Sequence, residues 1–258
     1  SLHIKVSLTD ERCFGTRLDV QFHGALRDEQ QQAADALLQH ERGVLAASTA
    51  FGKTVVAAYL IAQRQVNTLV IVHRRQLLDQ WVQALSQFLG LTPKEIGQIG
   101  GGKHRPNGQL DVAMIQSLSQ GGVVSDIVGN YGYLVVDECH HISAVSFEQV
   151  VRQSKAQYLT GLSATVTRKD GHQPIIFMQC GPVRYKVSDR AQADKRPFEH
   201  KVIVRPTSFR LPHHLQNAAA QSIQEVYTLL ASDEARNLRI IEDVVAAVQA
   251  NRFPVLLT

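Results

Sequence analysis

The chain has 258 residues, of which 44% are hydrophobic and 19% are charged, and its formal net charge is +4. This length suffices for one α/β domain with additional segments and is short for two complete domains. No stretch approaches the roughly 20 apolar residues that cross a bilayer, so the sequence excludes a transmembrane helix.

The three cysteines, Cys13, Cys139 and Cys180, are odd in number and lie far apart, without a Cys-x-x-Cys pair. This spacing predicts neither a disulfide framework nor a zinc site, and it favours a reducing compartment such as the cytoplasm. The positive charge is compatible with a polyanionic partner, although many proteins without such a partner are equally basic.

Residues 1–24 predict a small β extension at the N-terminus. Apolar and polar residues alternate in two segments, which are separated by Asp10-Glu11 and Gly15. The alternating apolar residues are Ile4, Val6 and Leu8, then Leu18, Val20 and Phe22. A period of two residues on both sides of a polar turn predicts two paired strands.

Residues 25–187 predict one domain in which strands and helices alternate. The first helix is expected to be capped by Asp28 and to end near His40. Two later helices are expected at Thr54–Arg64 and Gln76–Phe88. The expected strands are Val44–Ala47, Thr68–Val72, Asp111–Ile115, Tyr133–Val136 and Tyr158–Leu162. Apolar strands alternating with helices predict an α/β fold, a parallel sheet covered on both faces, whose ligands bind at the carboxyl ends of strands.

The remaining residues predict a linker and the start of a second domain. Residues 188–210 contain a polar, basic stretch and an expected strand at Lys201–Arg205. Residues 211–258 contain two helical patterns and a final apolar stretch that resembles the beginning of a strand, namely Asn217–Leu230, Asp233–Ala250 and Phe253–Thr258. We therefore expect the second domain to be incomplete and the chain to be truncated.

A phosphate-binding loop is predicted after the first strand, where residues 47–54 read Ala-Ser-Thr-Ala-Phe-Gly-Lys-Thr. In such loops, backbone N–H groups and a helix N-terminus surround the phosphates of a nucleotide. Gly52 would allow close approach, Lys53 would bind the β- and γ-phosphates, and the Thr54 hydroxyl would bind Mg²⁺. The strict pattern has glycine where Ala47 stands, so these residues alone are also compatible with an ordinary turn.

Two carboxylates, Asp137 and Glu138, directly follow the apolar strand Tyr133–Val136. Asp137 would hold the magnesium ion, and Glu138 would orient or deprotonate the attacking water. Such a pair is often solvated, but its position after a buried strand and downstream of a phosphate loop favours an ATP hydrolase. His140 and His141 are adjacent in a loop without a third ligand nearby, so they do not predict a zinc site.

A third motif, Ser163-Ala164-Thr165, ends the next apolar strand. Together, Gly-Lys-Thr, Asp-Glu-Cys-His and Ser-Ala-Thr resemble motifs I, II and III of superfamily 2 DExH-box helicases in order and spacing. The resemblance extends over about residues 25–258 and implies a RecA-like domain of the P-loop NTPase class. It implies catalytic roles for Lys53, Asp137, Glu138 and His140, and a coupling role for Ser163, Ala164 and Thr165.

The resemblance also implies further ligands of ATP and of nucleic acid. Leu26-Arg27-x-x-Gln30 is similar to the adenine-recognising Q motif. The implied nucleotide-binding residues are therefore Arg27, Gln30, Thr49, Ala50, Phe51, Gly52, Lys53 and Thr54. Segments similar to motifs Ia and Ic, followed by a basic pair, predict nucleic-acid contacts from Arg74, Arg75, Gln116, Ser117, Arg168 and Lys169. Solvated surface charge is the alternative for Arg74 and Arg75, and Trp81 is expected in the core because it lies on an apolar helical stripe.

Within the superfamily, Thr160–Thr165 followed by Arg168–Gly171 most resembles the XPB/RadD-like and type III restriction-like DNA helicases. More narrowly, the chain resembles the helicase part of bacterial primase-helicase proteins in mobile-element conflict systems. Two departures are Ala50, where the phosphate loop usually has glycine, and Met114, where motif Ic often has threonine. Neither removes a catalytic group, so nucleotide binding is expected to survive both.

The resemblance implies an ATP-dependent helicase or translocase that acts on nucleic acid, with DNA favoured over RNA and the choice between them not decided by the sequence. In this family a second RecA-like domain supplies arginines that accelerate phosphoryl transfer by roughly 10³–10⁵. The chain ends before those motifs, so we expect it to hydrolyse ATP weakly alone. The alternatives are a translocase or restriction subunit on duplex DNA, a nucleotide-dependent nucleic-acid-binding module, and another phosphate-loop class such as a nucleotide kinase.

Overall fold

The computed structural model describes residues 9–120, 122–139, 144–164, 173–187, 203–212 and 223–255. The chain divides into two compact units, residues 1–196 and 197–258. Among the described residues, no helix combines the length and the apolar character needed to cross a membrane.

The first unit is built on a sheet of eight strands. The strands are β1 (Arg42–Ala46), β2 (Thr68–Val72), β3 (Gly97–Gly100), β4 (Lys103–Arg105), β5 (Leu110–Met114), β8 (Tyr133–Val136), β9 (Tyr158–Ser163) and β10 (Val183–Lys186), with a separate two-stranded ribbon of β6 (Ser119–Gln120) and β7 (Val123–Val124). Their order across the sheet is β10-β1-β9-β8-β2-β5-β3-β4. All neighbours are parallel except β3 and β4, so the carboxyl ends of the central strands share one edge.

Helices cover both faces of this sheet. They are α1 (Asp28–Leu38), α2 (Lys53–Arg64), α3 (Arg75–Leu89), α4 (Ile115–Leu118), α5 (Ala144–Gln153) and α6 (Gln173–Cys180). Alternate residues of β2 enter different cores: Val70 and Val72 pack with α1, α2 and α3, whereas Leu69 and Ile71 pack with α4 and α5. This two-sided burial explains the continuous apolar runs of the strands. The predicted α/β, RecA-like fold is therefore confirmed.

Residues 9–24 do not form the paired strands that their alternation predicted. Residues 1–8 lie outside the described part of the chain, and residues 18–22 have no strand conformation. Single bridges join Cys13 to Ala156 and Arg17 to Val66. Leu18 and Val20 are buried in the core beneath α1, α2 and α3. The alternation thus reflects which side of an extended segment faces the core, and it does not indicate strand pairing.

Gly132 provides a stability test of this N-terminal segment. A Cβ atom there would lie 2.6 Å from the Phe14 carbonyl oxygen and 2.3 Å from Val66 Cγ1. Gly132→Ala is expected to lower the free energy of unfolding by about 3 kcal/mol, because the backbone of the packed segment must shift. Gly129→Ala is the control, since its Cβ would meet only the Gln153 carbonyl oxygen, at 3.8 Å. Equal urea midpoints for the two variants would contradict this packing.

The second unit contains two helices, α7 (Ile223–Ser232) and α8 (Glu234–Gln249), among its described residues. Asp233 caps α8 by accepting a hydrogen bond from the Arg236 N–H. The strand predicted at Lys201–Arg205 is wrong for its described residues, 203–205, which are not in a strand. Ile203 and Val204 are 59% and 81% exposed there. An apolar segment forms a β-strand only where a neighbouring strand pairs with its backbone N–H and C=O groups.

The last described residues, 253–255, are likewise not in a strand, contrary to the expectation for Phe253–Thr258. Phe253 and Val255 are highly exposed. Residues 203–212 are connected to α8 by an ion pair between Arg205 and Asp243 at 3.2 Å.

Candidate functional site

The phosphate loop lies between β1 and α2. Residues Thr49–Phe51 form one turn of 3-10 helix, and Gly52 has a φ of +83°, the left-handed conformation that favours glycine. A Cβ at Gly52 would lie 2.7 Å from the Gln30 side-chain nitrogen, so a larger residue would also clash. Ala50 lies within the turn and does not have a positive φ. Alanine at this position therefore fits the loop without left-handed strain.

Lys53 is the first residue of α2 and is only 6% exposed. Its ammonium group donates a hydrogen bond to the Ala47 carbonyl oxygen at 2.9 Å. It also pairs with the Glu138 carboxylate, with 3.1 Å between Nζ and Oε1. The predicted loop and the predicted acidic motif are thus brought together at the carboxyl edge of the sheet.

The acidic pair is fixed by backbone contacts. The Asp137 N–H donates to the Ile71 carbonyl of β2 at 2.9 Å, and the Glu138 N–H donates to Asp137 Oδ1 at 2.9 Å. Glu138 has a φ of +46°, an uncommon conformation for a residue other than glycine. Its Oε2 accepts a hydrogen bond from the Ala164 N–H at 3.3 Å. This bond joins the acidic motif to the end of β9, where a coupling motif was predicted.

Asp137 is buried, and burial raises the pKa of its carboxyl above the ordinary value. A hydrogen bond from the Trp81 indole lowers that pKa, the Glu138 carboxylate raises it, and the Lys53 charge lowers it. The indole Nε1 lies 2.7 Å from Asp137 Oδ2. The sequence predicted that Trp81 belongs to the core, which is correct, but it did not reveal this contact. The sequence could have indicated such a contact, because a buried indole N–H usually has a hydrogen-bond acceptor.

Arg27 and Gln30 contact the phosphate loop from the start of α1. Both side chains donate hydrogen bonds to the Phe51 carbonyl, and the Gln30 amide nitrogen lies 2.8 Å from it. Gln30 Oε1 also accepts from the Arg27 N–H at 3.0 Å, which completes the cap of the helix. Asp28 is therefore the first residue of the helix and not the cap that the sequence predicted. Arg27 occupies the N-cap position, and the Gln30 side chain makes the capping hydrogen bond.

Two oxygen groups are available for a magnesium ion. Thr54 is half-buried in the first turn of α2, and the Asp137 carboxylate is buried at the end of β8. These hard donors suit Mg²⁺, which commonly keeps one or two carboxylates, substrate phosphates and water as ligands. The described residues contain no group of three or more His, Cys, Asp or Glu side chains that could hold a metal ion. A magnesium ion here would depend on nucleotide phosphates for further ligands.

Four of the six residues predicted to contact nucleic acid are described, and they follow β2 and β5 at the same sheet edge. Arg74 and Arg75 are exposed at the start of α3. Gln116 in α4 donates to the His73 carbonyl at 3.1 Å, and Ser117 follows it, half-buried. A shallow cleft of about 270 Å³ is lined by His73, Arg74, Gln76, Leu77, Gln80 and Glu138. The segment after β2 therefore adjoins the acidic pair.

Several predicted residues cannot be placed in this geometry. His140, Thr165, Arg168 and Lys169 lie outside the described residues, as does the side chain of Thr49. Their expected catalytic, coupling and binding roles remain predictions. Ser163 is described and buried, and its carbonyl accepts a hydrogen bond from the Ala47 N–H at 2.9 Å.

The geometry agrees with a comparison against known protein families. Residues 23–168 match the family described as the type III restriction enzyme, res subunit. The chain belongs to this family. The match spans the phosphate loop, the acidic pair and the Ser-Ala-Thr motif, so the predicted type III restriction-like relationship is confirmed.

Relatives of this res-subunit family member include named helicases and a translocase. A putative ATP-dependent RNA helicase of Acanthamoeba polyphaga mimivirus is 31% identical over 169 residues, which cover 64% of this chain and 32% of the relative. The DNA 3'-5' translocase XPB2 of Sulfurisphaera tokodaii is 29% identical over 177 residues, covering 69% and 39%. The chain thus spans a third to two fifths of the length of these relatives.

Solved structures support the fold of this res-subunit family member. The UvsW helicase from bacteriophage T4 superposes with a TM-score of 0.53 at 18% identity, covering 65% of this chain and 62% of that chain. The Sulfolobus solfataricus SWI2/SNF2 ATPase core in complex with dsDNA superposes with a TM-score of 0.51 at 16% identity, covering 64% and 38%.

Proposed function

We propose that this chain forms the ATP-binding part of a helicase or translocase that acts on nucleic acid, with DNA as the preferred substrate. The observation that carries the proposal is the ion pair between Lys53 and Glu138, 3.1 Å apart at the carboxyl edge of a parallel sheet. A phosphate-loop lysine beside a buried acidic pair is the arrangement that ATP hydrolysis requires. Relatives named as DNA helicases and a DNA translocase support DNA as the substrate.

In this proposal, the backbone of the loop and Lys53 bind the phosphates of ATP. Thr54 and Asp137 hold Mg²⁺, which supplies charge neutralisation at the transferred phosphoryl group. Glu138 orients the attacking water or accepts its proton. Arg27 and Gln30 hold the loop through the Phe51 carbonyl and recognise the adenine.

Two contacts place the Lys53 ammonium group within the predicted phosphate site. Its ammonium group is bonded to the Ala47 carbonyl and paired with Glu138. Phosphate oxygens are stronger partners for an ammonium group than a carbonyl oxygen is. We infer that the Lys53 ammonium group would bind the phosphates of ATP beside Glu138, whose carboxylate also accepts a hydrogen bond from the Ala164 N–H.

The assay that tests the proposal is the rate of ATP hydrolysis with and without single-stranded or duplex DNA. We expect DNA to stimulate hydrolysis, because the cleft beside Arg74 also includes Glu138. A hydrolysis rate that neither nucleic acid changes would contradict the proposal and would favour a different phosphate-loop enzyme.

A translocase that moves on duplex DNA without separating its strands is the second candidate. The relative named as a DNA 3'-5' translocase favours it. A strand-displacement assay beside a triplex-displacement assay distinguishes the two functions. Displacement of the third strand without separation of the duplex would identify the translocase.

The proposed contacts of Arg74 and Arg75 give a prediction about salt dependence. Among the described residues, neither arginine forms an ion pair, so both charges are available to phosphates. The double variant Arg74→Ala, Arg75→Ala is expected to bind single strands more weakly at low salt and to lower the slope of log K against log salt by roughly 1–2. Fluorescence anisotropy at several salt concentrations measures this slope.

The matched control is the double variant Arg152→Ala, Lys155→Ala, which removes two exposed positive charges near the end of α5. Its slope should equal that of the unchanged chain. If the Arg74/Arg75 variant bound single strands as tightly as the control does, these arginines would be ordinary solvated charges.

A further inference from the structure

The indole of Trp81 makes a contact that packing alone does not require. Trp81 lies in the middle of α3 and is 1% exposed, among apolar residues such as Leu78 and Leu85. Its N–H donates to Asp137 Oδ2 at 2.7 Å, across 56 positions of sequence. A phenylalanine would fill most of the same volume without directing a hydrogen bond to a buried carboxylate.

We propose that Trp81 is a positioning residue for the metal site, whose indole N–H fixes the orientation of the Asp137 carboxylate toward the Mg²⁺ that accompanies the nucleotide. This inference rests on the proposed role of Asp137 as a magnesium ligand. In this proposal Trp81 acts through the carboxylate of Asp137 and is not itself a ligand of the metal.

The other contacts of Asp137 show why this bond matters. The Asp137 N–H is bonded to the Ile71 carbonyl, which fixes the backbone and leaves the side chain able to rotate. Oδ1 accepts from the N–H of the next residue, Glu138, which is a local contact. The bond from Trp81 is the contact that ties the carboxylate to a different element, α3. Groups that orient a metal-binding side chain in this way typically contribute 10–100-fold to metal affinity.

The test uses Trp81→Phe, which removes the N–H and keeps an aromatic ring. The dissociation constant of a fluorescent ADP analogue is measured with Mg²⁺ and with EDTA, and the ratio of the constant in EDTA to the constant in Mg²⁺ reports the metal contribution. We expect Trp81→Phe to lower this ratio by roughly tenfold and to leave the affinity in EDTA unchanged. An unchanged ratio in a folded variant would overturn the proposal.

Phe88→Leu is the matched control. Phe88 lies on the same helix, packs against the same core and stacks on Phe22 with 5.9 Å between ring centroids. The substitution removes comparable packing without touching the hydrogen bond to Asp137. Its ratio should match that of the unchanged chain, so a loss shared by both variants would indicate a packing effect and would also overturn the proposal.

A second measurement does not depend on the folding of the Phe variant. Trp81 is the only tryptophan, so the labelled chain gives a single indole N–H signal in a proton–nitrogen correlation spectrum. We expect Asp137→Ala to shift this signal, and we expect Mg²⁺ to shift it when added to the ADP-bound chain. An indole signal that stays in place in both experiments would contradict the proposal.

Asp137→Ala also separates this inference from the proposed function. If Asp137→Ala removes the effect of Mg²⁺ on ADP affinity and Trp81→Phe does not reduce it, Asp137 is a metal ligand and only the role of Trp81 is overturned. If the Mg²⁺ effect is the same in the Asp137→Ala variant and the unchanged chain, the metal role of Asp137 itself fails.

Discussion

Lys53→Ala is expected to lower the rate of ATP hydrolysis by roughly 10³-fold, since a fixed positive charge at the phosphates is lost. The side chain is almost fully buried and lies 3.1 Å from Glu138, so no other described lysine can replace it. Mg·ATP binding should weaken as well, because the ammonium group would interact with the phosphates in the bound state too. Single-turnover hydrolysis, with the protein in excess over ATP, measures the rate even if turnover is slow.

Lys94→Ala provides the control, since Lys94 is exposed and has no ion pair among the described residues. Thermal unfolding of both variants is needed, because Lys53→Ala removes a buried ion pair with the Glu138 carboxylate. Hydrolysis that continued at the original rate in a folded Lys53→Ala variant would remove Lys53 from the phosphate site.

Glu138→Gln is expected to lower hydrolysis by roughly 10²–10⁴-fold, the contribution of a positioned general base. Binding of Mg·ATP should persist, because the amide keeps the size of the side chain and its oxygen can still accept the Ala164 N–H. The variant would therefore hold ATP without turning it over. Equilibrium binding of labelled ATP and single-turnover hydrolysis together separate the two effects.

Glu234→Gln makes the same chemical change at an exposed position, the first residue of α8, and should leave both measurements unchanged. If Glu138→Gln hydrolysed ATP at the original rate, Glu138 would not be the base. If it failed to bind Mg·ATP, Glu138 would act in nucleotide binding instead.

Much of the first unit could be predicted because its strands are buried on both faces. Thr68–Val72 and Tyr133–Val136 have the bounds that the sequence predicted, and the other three predicted strands differ by one or two residues at one or both ends. A continuous apolar run of four or five residues has few other folded environments. The helices α2 and α3 begin one residue earlier than their apolar patterns indicated.

The wrong predictions are strands inferred from the hydrophobic pattern of a segment, because this pattern does not show whether a partner strand is present. Leu18 and Val20 alternate because one side of the segment faces the core, and a period of two does not show whether a partner strand is present. Residues 203–205 are apolar enough for a strand, yet Ile203 and Val204 are exposed. Strand formation depends on a neighbour that is distant in sequence, and a single sequence does not specify that neighbour.

The candidate site also contains features that the sequence predicted and contacts that it did not. The sequence predicted both motifs at the carboxyl ends of strands, and the ion pair between Lys53 and Glu138 shows that the two motifs lie together there. Two contacts were not predicted: the hydrogen bond from Lys53 to the Ala47 carbonyl and the hydrogen bond from the Trp81 indole to Asp137. Both contacts depend on side-chain and loop geometry, which motif spacing does not contain.

The position of Trp81 on α3 has a mechanical consequence. Trp81 lies six positions after Arg75, the first residue of the helix, a distance of about 9 Å along the axis. No glycine or proline interrupts the fifteen residues of this helix, so it contains no hinge. A displacement of the helix at its arginine end would therefore also move the indole that donates a hydrogen bond to Asp137.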